Sequence, residues 1–187
     1  MKRLLPIAAI LALAFIAPLV ADDLADVRAQ AGARLFRAFL SADVDVDHKK
    51  VERDQILVVF LYTDDRHRAA DLAASFAGNP KEAVTIHGAP VLVELSSDTS
   101  LASYGSRIPA GIFLAQPPAQ NTLKSIIRYG IDHHVIVYSP FEGHVERGVL
   151  GGLAVEAQVR PYVNLTTLDA SNITLKPLFF KVTKVFK

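Results

Sequence analysis

No cysteine occurs anywhere in the 187 residues. Disulfides, thiol redox switching, thiolate metal sites and a lipid-modified N-terminal cysteine are therefore excluded. Tryptophan is missing too, so any aromatic packing must come from ten phenylalanines and five tyrosines. Neither sign of charge dominates: 20 basic residues against 19 acidic ones leave a net charge of +1. Without a basic cluster there is little to neutralise phosphates, and no nucleic-acid partner is expected. Long apolar runs are also lacking, with one exception. Leu4 to Val20 is apolar for 17 residues but carries Pro6 and Pro18, which makes it short for a bilayer span.

That run follows Lys2-Arg3 and ends at Ala21 before Asp22-Asp23, the layout of a secretory signal peptide. Cleavage is expected after Ala21, although Leu19 stands where a small residue is preferred; an uncleaved N-terminal anchor is the alternative. The chain then divides into a signal peptide, 1–21, and a single domain, 22–187, exported to the periplasm. The remaining 166 residues carry 18 basic and 19 acidic side chains, a net charge of −1. They suffice for one domain with an ordinary core. No second stretch is long enough to span a bilayer, so the mature chain is expected to be soluble.

Ala25 to Ala42 has apolar residues at Val27, Ala31, Leu35, Ala38 and Phe39, the spacing of an amphipathic helix. Asp43, Asp45 and Asp47 alternate before His48, as a strand edge or a solvated loop. They resemble the start of a calcium loop without its glycine or later glutamate. Ile56 to Tyr62 is a β-branched and aromatic run of the kind buried on both faces of a parallel sheet. Thr63-Asp64-Asp65 can cap a helix ending before Gly78. Strands are expected near Val84–Ile86, Val91–Leu95, Ala110–Ala115 and His134–Tyr138. Helices are expected over Ser96–Tyr104 and from Pro117-Pro118 to Tyr129, the latter stopped by Gly130. Gly151 and Gly152 lead one extended segment and Val159 to Asn164 forms another, which predicts an antiparallel hairpin. Arg160-Pro161 points to a sheet edge, because proline donates no ladder hydrogen bond. Thr166 to Ser171 suits a helical turn capped by Asn164. A terminal helix is expected over Leu178–Phe186, its apolar face packed on the sheet. The fold class is α/β: a three-layer sandwich with a mainly parallel sheet, a C-terminal antiparallel hairpin and a terminal helix.

The densest polar stretch surrounds the strand ending at Ser139. Ligands gather at the carboxyl ends of strands in open α/β sheets, which directs attention to the loop Ser139 to Gly148. Glu142, His144 and Glu146 could ligate a metal, but they alternate along one segment. Asp132 and His133 stand at the strand's other end, about 16 Å away. Neither Gly-x-Ser-x-Gly around Ser139 nor a phosphate loop at Gly148–Gly152 is present. No catalytic residue, metal or cofactor is assigned.

The signal peptide, the early amphipathic helix, the strand Ile56–Tyr62 and the segment Ile86-His87-Gly88-Ala89-Pro90-Val91-Leu92-Val93 resemble the YfiR family of small bacterial periplasmic proteins. Gly151-Gly152 entering a strand, Val159–Asn164 as its partner, Ile173-Thr174-Leu175-Lys176 and an apolar end carry most of the likeness. The absence of cysteine and the pair Pro161-Tyr162 depart from it. The resemblance implies a non-enzymatic regulator that binds a membrane-bound signalling protein, a cyclase or sensor kinase, and lowers cyclic di-GMP output. The expected partner surface comprises Ser139, Phe141, Glu142, His144, Glu146, Arg147, Arg160, Tyr162 and Asn164; a homodimer is left open. The alternative is a periplasmic solute-binding protein resembling one lobe of a transporter-associated binding protein.

Overall fold

The computed structural model describes residues 16–79 and 81–187. The basic start of the expected signal peptide and much of its apolar run lie outside the described residues. Helix α1, Ile16–Ala42, runs through the position where cleavage is expected. Among the described residues, no helix is long and apolar enough to cross a membrane.

The chain builds an eight-stranded sheet in the order β2-β3-β1-β4-β5-β6-β7-β8. Its strands are β1 (Ile56–Leu61), β2 (Thr85–Ile86), β3 (Ala89–Ser96), β4 (Gly111–Leu114), β5 (Ile136–Ser139), β6 (Gly151–Val155), β7 (Val159–Asn164) and β8 (Lys184–Phe186). Pairing is parallel from β3 through β6 and again between β7 and β8. The hairpin β6–β7 and the short β2–β3 pair are antiparallel. This is the expected α/β architecture with its C-terminal hairpin.

Strand β1 shows why the layers form. All six of its residues are buried, and successive side chains alternate between two cores. Ile56, Val58 and Phe60 face α1 and helix α2 (Arg66–Ala77), whose Leu72 and Phe76 share that core. Leu57, Val59 and Leu61 face helix α3 (Gln120–Asp132) through Leu123 and Ile126. Asp65 caps α2, accepting a hydrogen bond from the Arg68 amide at 2.9 Å.

The buried face of α1 is turned from the expected one. Ala29, Ala33, Phe36, Phe39 and Leu40 are buried, whereas Val27 and Ala38 are exposed. Phe36 lies against Phe60, Phe76, Phe113 and Tyr138, with ring centroids 5.4–6.3 Å apart. Close approach is possible because the strands facing the rings lead with glycine. A Cβ at Gly111 would stand 2.7 Å from Phe36, and one at Gly151 2.7 Å from Phe39.

Four expectations are corrected. Ser96–Tyr104 contains only a 3-10 turn, Ala102–Tyr104. The Asp98 carboxylate there accepts from the amides and hydroxyls of Ser100 and Ser103, offering the backbone an alternative to a helix. Gly130 lies inside α3 and does not stop it; a Cβ at Gly130 would meet Val137 Cγ2 at 2.6 Å, so its smallness serves packing. Asp43 is no solvated loop residue, being fully buried and paired with Lys49 Nζ at 2.6 Å. Strand β7 is not the sheet edge, since β8 covers it from Tyr162 onward. Pro161 precedes that pairing, where the outer side of β7 needs no donor.

The terminal segment departs furthest. Helix α4, Leu165–Ala170, is capped as expected, but the predicted terminal helix is only α5, Pro177–Phe180. The chain then extends into β8. The apolar spacing fits a helix, yet Leu178 is 71 % exposed and Val182 56 % exposed. Phe179 makes the main core contact, edge-on to Phe39 at 4.9 Å. Three parallel register pairs and half-buried Phe186 hold β8. Deleting residues 184–187 should therefore cost about 2 kcal/mol, from a few ladder bonds and part of one aromatic face. For a chain of this size that is a drop of roughly 4–8 °C in melting temperature. A thermal melt with an unchanged midpoint would show that β8 adds nothing.

Candidate functional site

Two places at the carboxyl ends of the strands have the geometry of a ligand site. The first lies between β1 and β4, where the chain crosses to opposite faces of the sheet. It is filled from within. Gln116 Oε1 accepts from the backbone amides of Thr63, Asp64 and Asp65 at 2.8–3.1 Å, and its amide nitrogen donates to Asp64.

The second place is the loop after β5. Ser139 ends the strand, and its hydroxyl lies 2.8 Å from His144 Nδ1. The Phe141 amide donates to the same oxygen at 3.2 Å, which leaves the Ser139 proton free to go to Nδ1. A serine beside a histidine is the geometry of an activated nucleophile. Here both are buried, at 1 % and 3 % exposure, so the pair locks the loop from inside. Burial, reinforced by the Arg147 guanidinium, lowers the His144 pKa to about 4 against a weaker opposing pull from Glu146. Asn164 completes the lock: Oδ1 accepts from the Thr167 amide and Nδ2 donates to Val145 O at 2.8 Å.

The expected site residues therefore separate. Ser139, His144 and Asn164 are interior and do not belong to an interaction surface. Tyr162 is mostly covered, packing with Val145, Ala154 and Phe186, and burial followed by the Glu146 carboxylate raises its pKa. Arg160 reaches Val182 O and Thr183 O, fastening β7 to the terminal segment. Arg147 bonds Gly143 O at 3.1 Å and folds the loop upon itself. Glu142 and Glu146 are exposed, and Phe141 is half-buried.

What the sequence reading missed lies beside them. A groove of about 440 Å³ runs between the start of α1 and the hairpin, lined mainly by Leu24, Val27, Arg28, Phe141, Val155 and Val159. Four of these are unusually bare for apolar residues: Leu24 at 70 %, Val27 at 64 %, Val155 at 55 % and Val159 at 48 % exposure. Arg28 crosses the floor. Its Nε donates to Pro140 O at 2.6 Å and its Nη2 to Leu153 O at 3.1 Å, tying loop and hairpin to α1. The available signal was a second apolar stripe on α1, Leu24, Val27 and Ala31 at spacings of three and four, beside the one that feeds the core.

Asp132 and His133 are remote from this end, as expected from the strand's length. His133 and His134 line a separate cleft with His48, Lys49 and Arg107. Among the described residues, no three histidine or acidic side chains are grouped to hold a metal ion.

No family model matches the chain, and no curated protein does. Solved structures do resemble it. One is the ABC domain in complex with L-Trp from Streptococcus pneumonia, with a TM-score of 0.52 and 13 % identity, covering 84 % of this chain and 62 % of that one. Another is a conserved domain protein from Vibrio cholerae, with a TM-score of 0.50 and 13 % identity over 70 % of this chain and 54 % of that one. The chain thus spans less than two thirds of either relative. At this identity the likeness shows a shared α/β fold.

Proposed function

We propose that this chain is an exported, non-enzymatic binding protein of the YfiR kind. It acts in the periplasm by docking an apolar segment of the extracytoplasmic part of a membrane-bound cyclase or sensor kinase into the groove between α1 and the hairpin. Cyclic di-GMP output changes as a result. One observation carries the reading: four bare apolar side chains rim a single groove, next to a loop and hairpin held rigid by Arg28, Asn164 and the Ser139–His144 pair. Exposed apolar clusters of this kind mark interaction surfaces, and a rigid frame reduces the ordering entropy lost on binding.

The double variant Val27→Asp with Val159→Asp is expected to keep the fold, since both side chains are already exposed. It should reduce capture of the membrane partner at least tenfold, because each carboxylate must be desolvated against apolar surface. The measurement is pull-down from membranes with the wild-type and variant chains, with cyclic di-GMP assayed in a deletion strain. Undiminished capture by the variant sinks the groove as docking site; unchanged cyclic di-GMP on deletion sinks the cyclase version.

A second reading, a solute-binding protein resembling one lobe of a transporter-associated protein, draws on the groove's volume, which is in the range of small-ligand sites. A ligand at a hundredfold its dissociation constant should stabilise the fold by about 2.7 kcal/mol, which a thermal-shift screen reads directly.

A further inference from the structure

We infer that the groove is also a binding site for a small carboxylate with an apolar body, its headgroup held by Arg28. The inference deepens the docking proposal by naming a regulator of the same groove, and only its competition experiment rests on that proposal.

Arg28 is unusual in its surroundings. Its guanidinium is half-buried and spends Nε and Nη2 on two carbonyl oxygens, yet no carboxylate among the described residues pairs with it. Carbonyl dipoles satisfy donors without cancelling the charge. A positive charge is thus held on the floor of a mainly apolar groove whose lining also includes Glu142, with Nη1 making no hydrogen bond to the described residues. In such surroundings a charge-assisted bond to an anion is stronger than in open water.

A second feature lies beneath. The Tyr138 hydroxyl is fully buried and has no hydrogen-bond partner among the described residues. The Tyr138 ring packs under Gly32 beside Pro140 and Leu153, where a Cβ at Gly32 would lie 2.9 Å from Pro140, 3.0 Å from Leu153 and 3.4 Å from Tyr138. The Arg28 charge acts on this hydroxyl, opposing the rise in pKa that burial imposes. Among the described residues, a cation with no ion-paired carboxylate and a buried hydroxyl with no partner thus sit together where the loop, the hairpin and α1 meet. Leu24, Val27, Val155 and Val159 supply the wall for a chain or ring too apolar to prefer water. Selectivity follows from the pairing: a neutral alcohol of the same length keeps the apolar contacts and loses the ion pair. A headgroup without the chain loses the reverse.

Titration calorimetry with the full chain decides the matter, using octanoate, 1-octanol and acetate as probes. Octanoate should bind about tenfold or more tightly than 1-octanol, the worth of one charge-assisted hydrogen bond, and acetate should show no heat of binding. Val27→Glu with Val159→Glu should abolish octanoate binding while the far-ultraviolet dichroism stays native. Arg28→Gln, where it folds, should bring octanoate and 1-octanol to equal affinity. Equal affinities in the wild-type chain, no binding of octanoate, or undiminished binding by the double variant would each overturn the proposal. Octanoate that binds should also release the membrane partner. Binding with no partner capture at all would remove the docking reading and leave this one standing; capture by a chain that binds no octanoate would do the opposite, and bound octanoate that leaves capture undiminished would overturn the sharing of one groove.

Discussion

Replacing Phe36 by alanine is expected to destabilise the domain by about 3–5 kcal/mol, the usual cost of removing a large aromatic side chain from a core. Phe36 is the hub through which α1 meets the sheet. Its ring touches those of Phe60 on β1, Phe113 on β4, Tyr138 on β5 and Phe76 on α2, so four elements lose a neighbour at once. The aromatic geometry adds to the area buried, since tilted and edge-on pairs each contribute about 0.5–1.5 kcal/mol. Relaxation cannot easily close the hole. Gly111 already lets the ring rest on the strand backbone, with no side chain behind it to swing inward. Against a total stability of about 5–15 kcal/mol, the variant should fold with a much lower urea midpoint or not fold at 37 °C. Phe179→Ala is the control, since Phe179 is only half-buried and meets Phe39 alone among the rings. A Phe36→Ala midpoint no lower than that of Phe179→Ala would mean that α1 is not anchored at Phe36.

How much of this was legible in the sequence differs by element. Strand β1 was readable because a run buried on both faces needs no choice between them: Ile56 to Leu61 are apolar throughout. The hairpin was readable because two short extended runs, one led by Gly151-Gly152 and the other Val159 to Asn164, lie close together in the chain. The face of α1 was not, since the helix carries two apolar stripes and periodicity alone does not say which meets the sheet. Only the tertiary partners do. Phe36 and Phe39 are buried because Gly111 and Gly151, more than seventy residues later, leave room for them. The end of the chain failed for a related reason. Leu178, Val182 and Val185 have helical spacing, but the free outer side of β7 offers ladder bonds that a helix could not make, and extended β8 takes them.

The candidate site shows the same division. The polar loop does follow β5 at the strand's carboxyl end, where its position in the sequence puts it. Which of those residues face outward could not be read. Ser139, His144 and Asn164 look like surface chemistry in a sequence, yet each meets a backbone group or a neighbour inside the loop and is buried by it. Arg28, which lies more than a hundred residues from the carbonyls it holds, carried no local signal at all.

Acidification should weaken the fold through His144. In the folded chain the imidazole is 3 % exposed and its pKa is lowered to about 4, whereas the unfolded chain keeps the ordinary value of 6.5. Above pH 6.5 both states hold the ring neutral, and the contribution of this group is fully present. Between pH 6.5 and 4 the unfolded state takes up a proton that the folded state refuses, so stability falls with pH. Below pH 4 both states are protonated and the loss levels off. The difference in pKa corresponds to about 3 kcal/mol. His144→Asn presents an amide near the position of Nδ1 and carries no titratable proton, so it can keep a contact with the Ser139 hydroxyl. Its stability should be lower than wild type at pH 7.5, because the ring also fills space beside Phe141. It should then decline less between pH 6.5 and 4, by about 3 kcal/mol, and the two curves should converge or cross near the acid end. Exposed histidines and carboxylates titrate alike in both chains, so subtraction isolates His144. Urea midpoints measured at half-unit steps provide the test. Parallel curves across that interval would show that the imidazole takes up its proton equally in both states, and that the Ser139–His144 contact does not depend on a neutral ring.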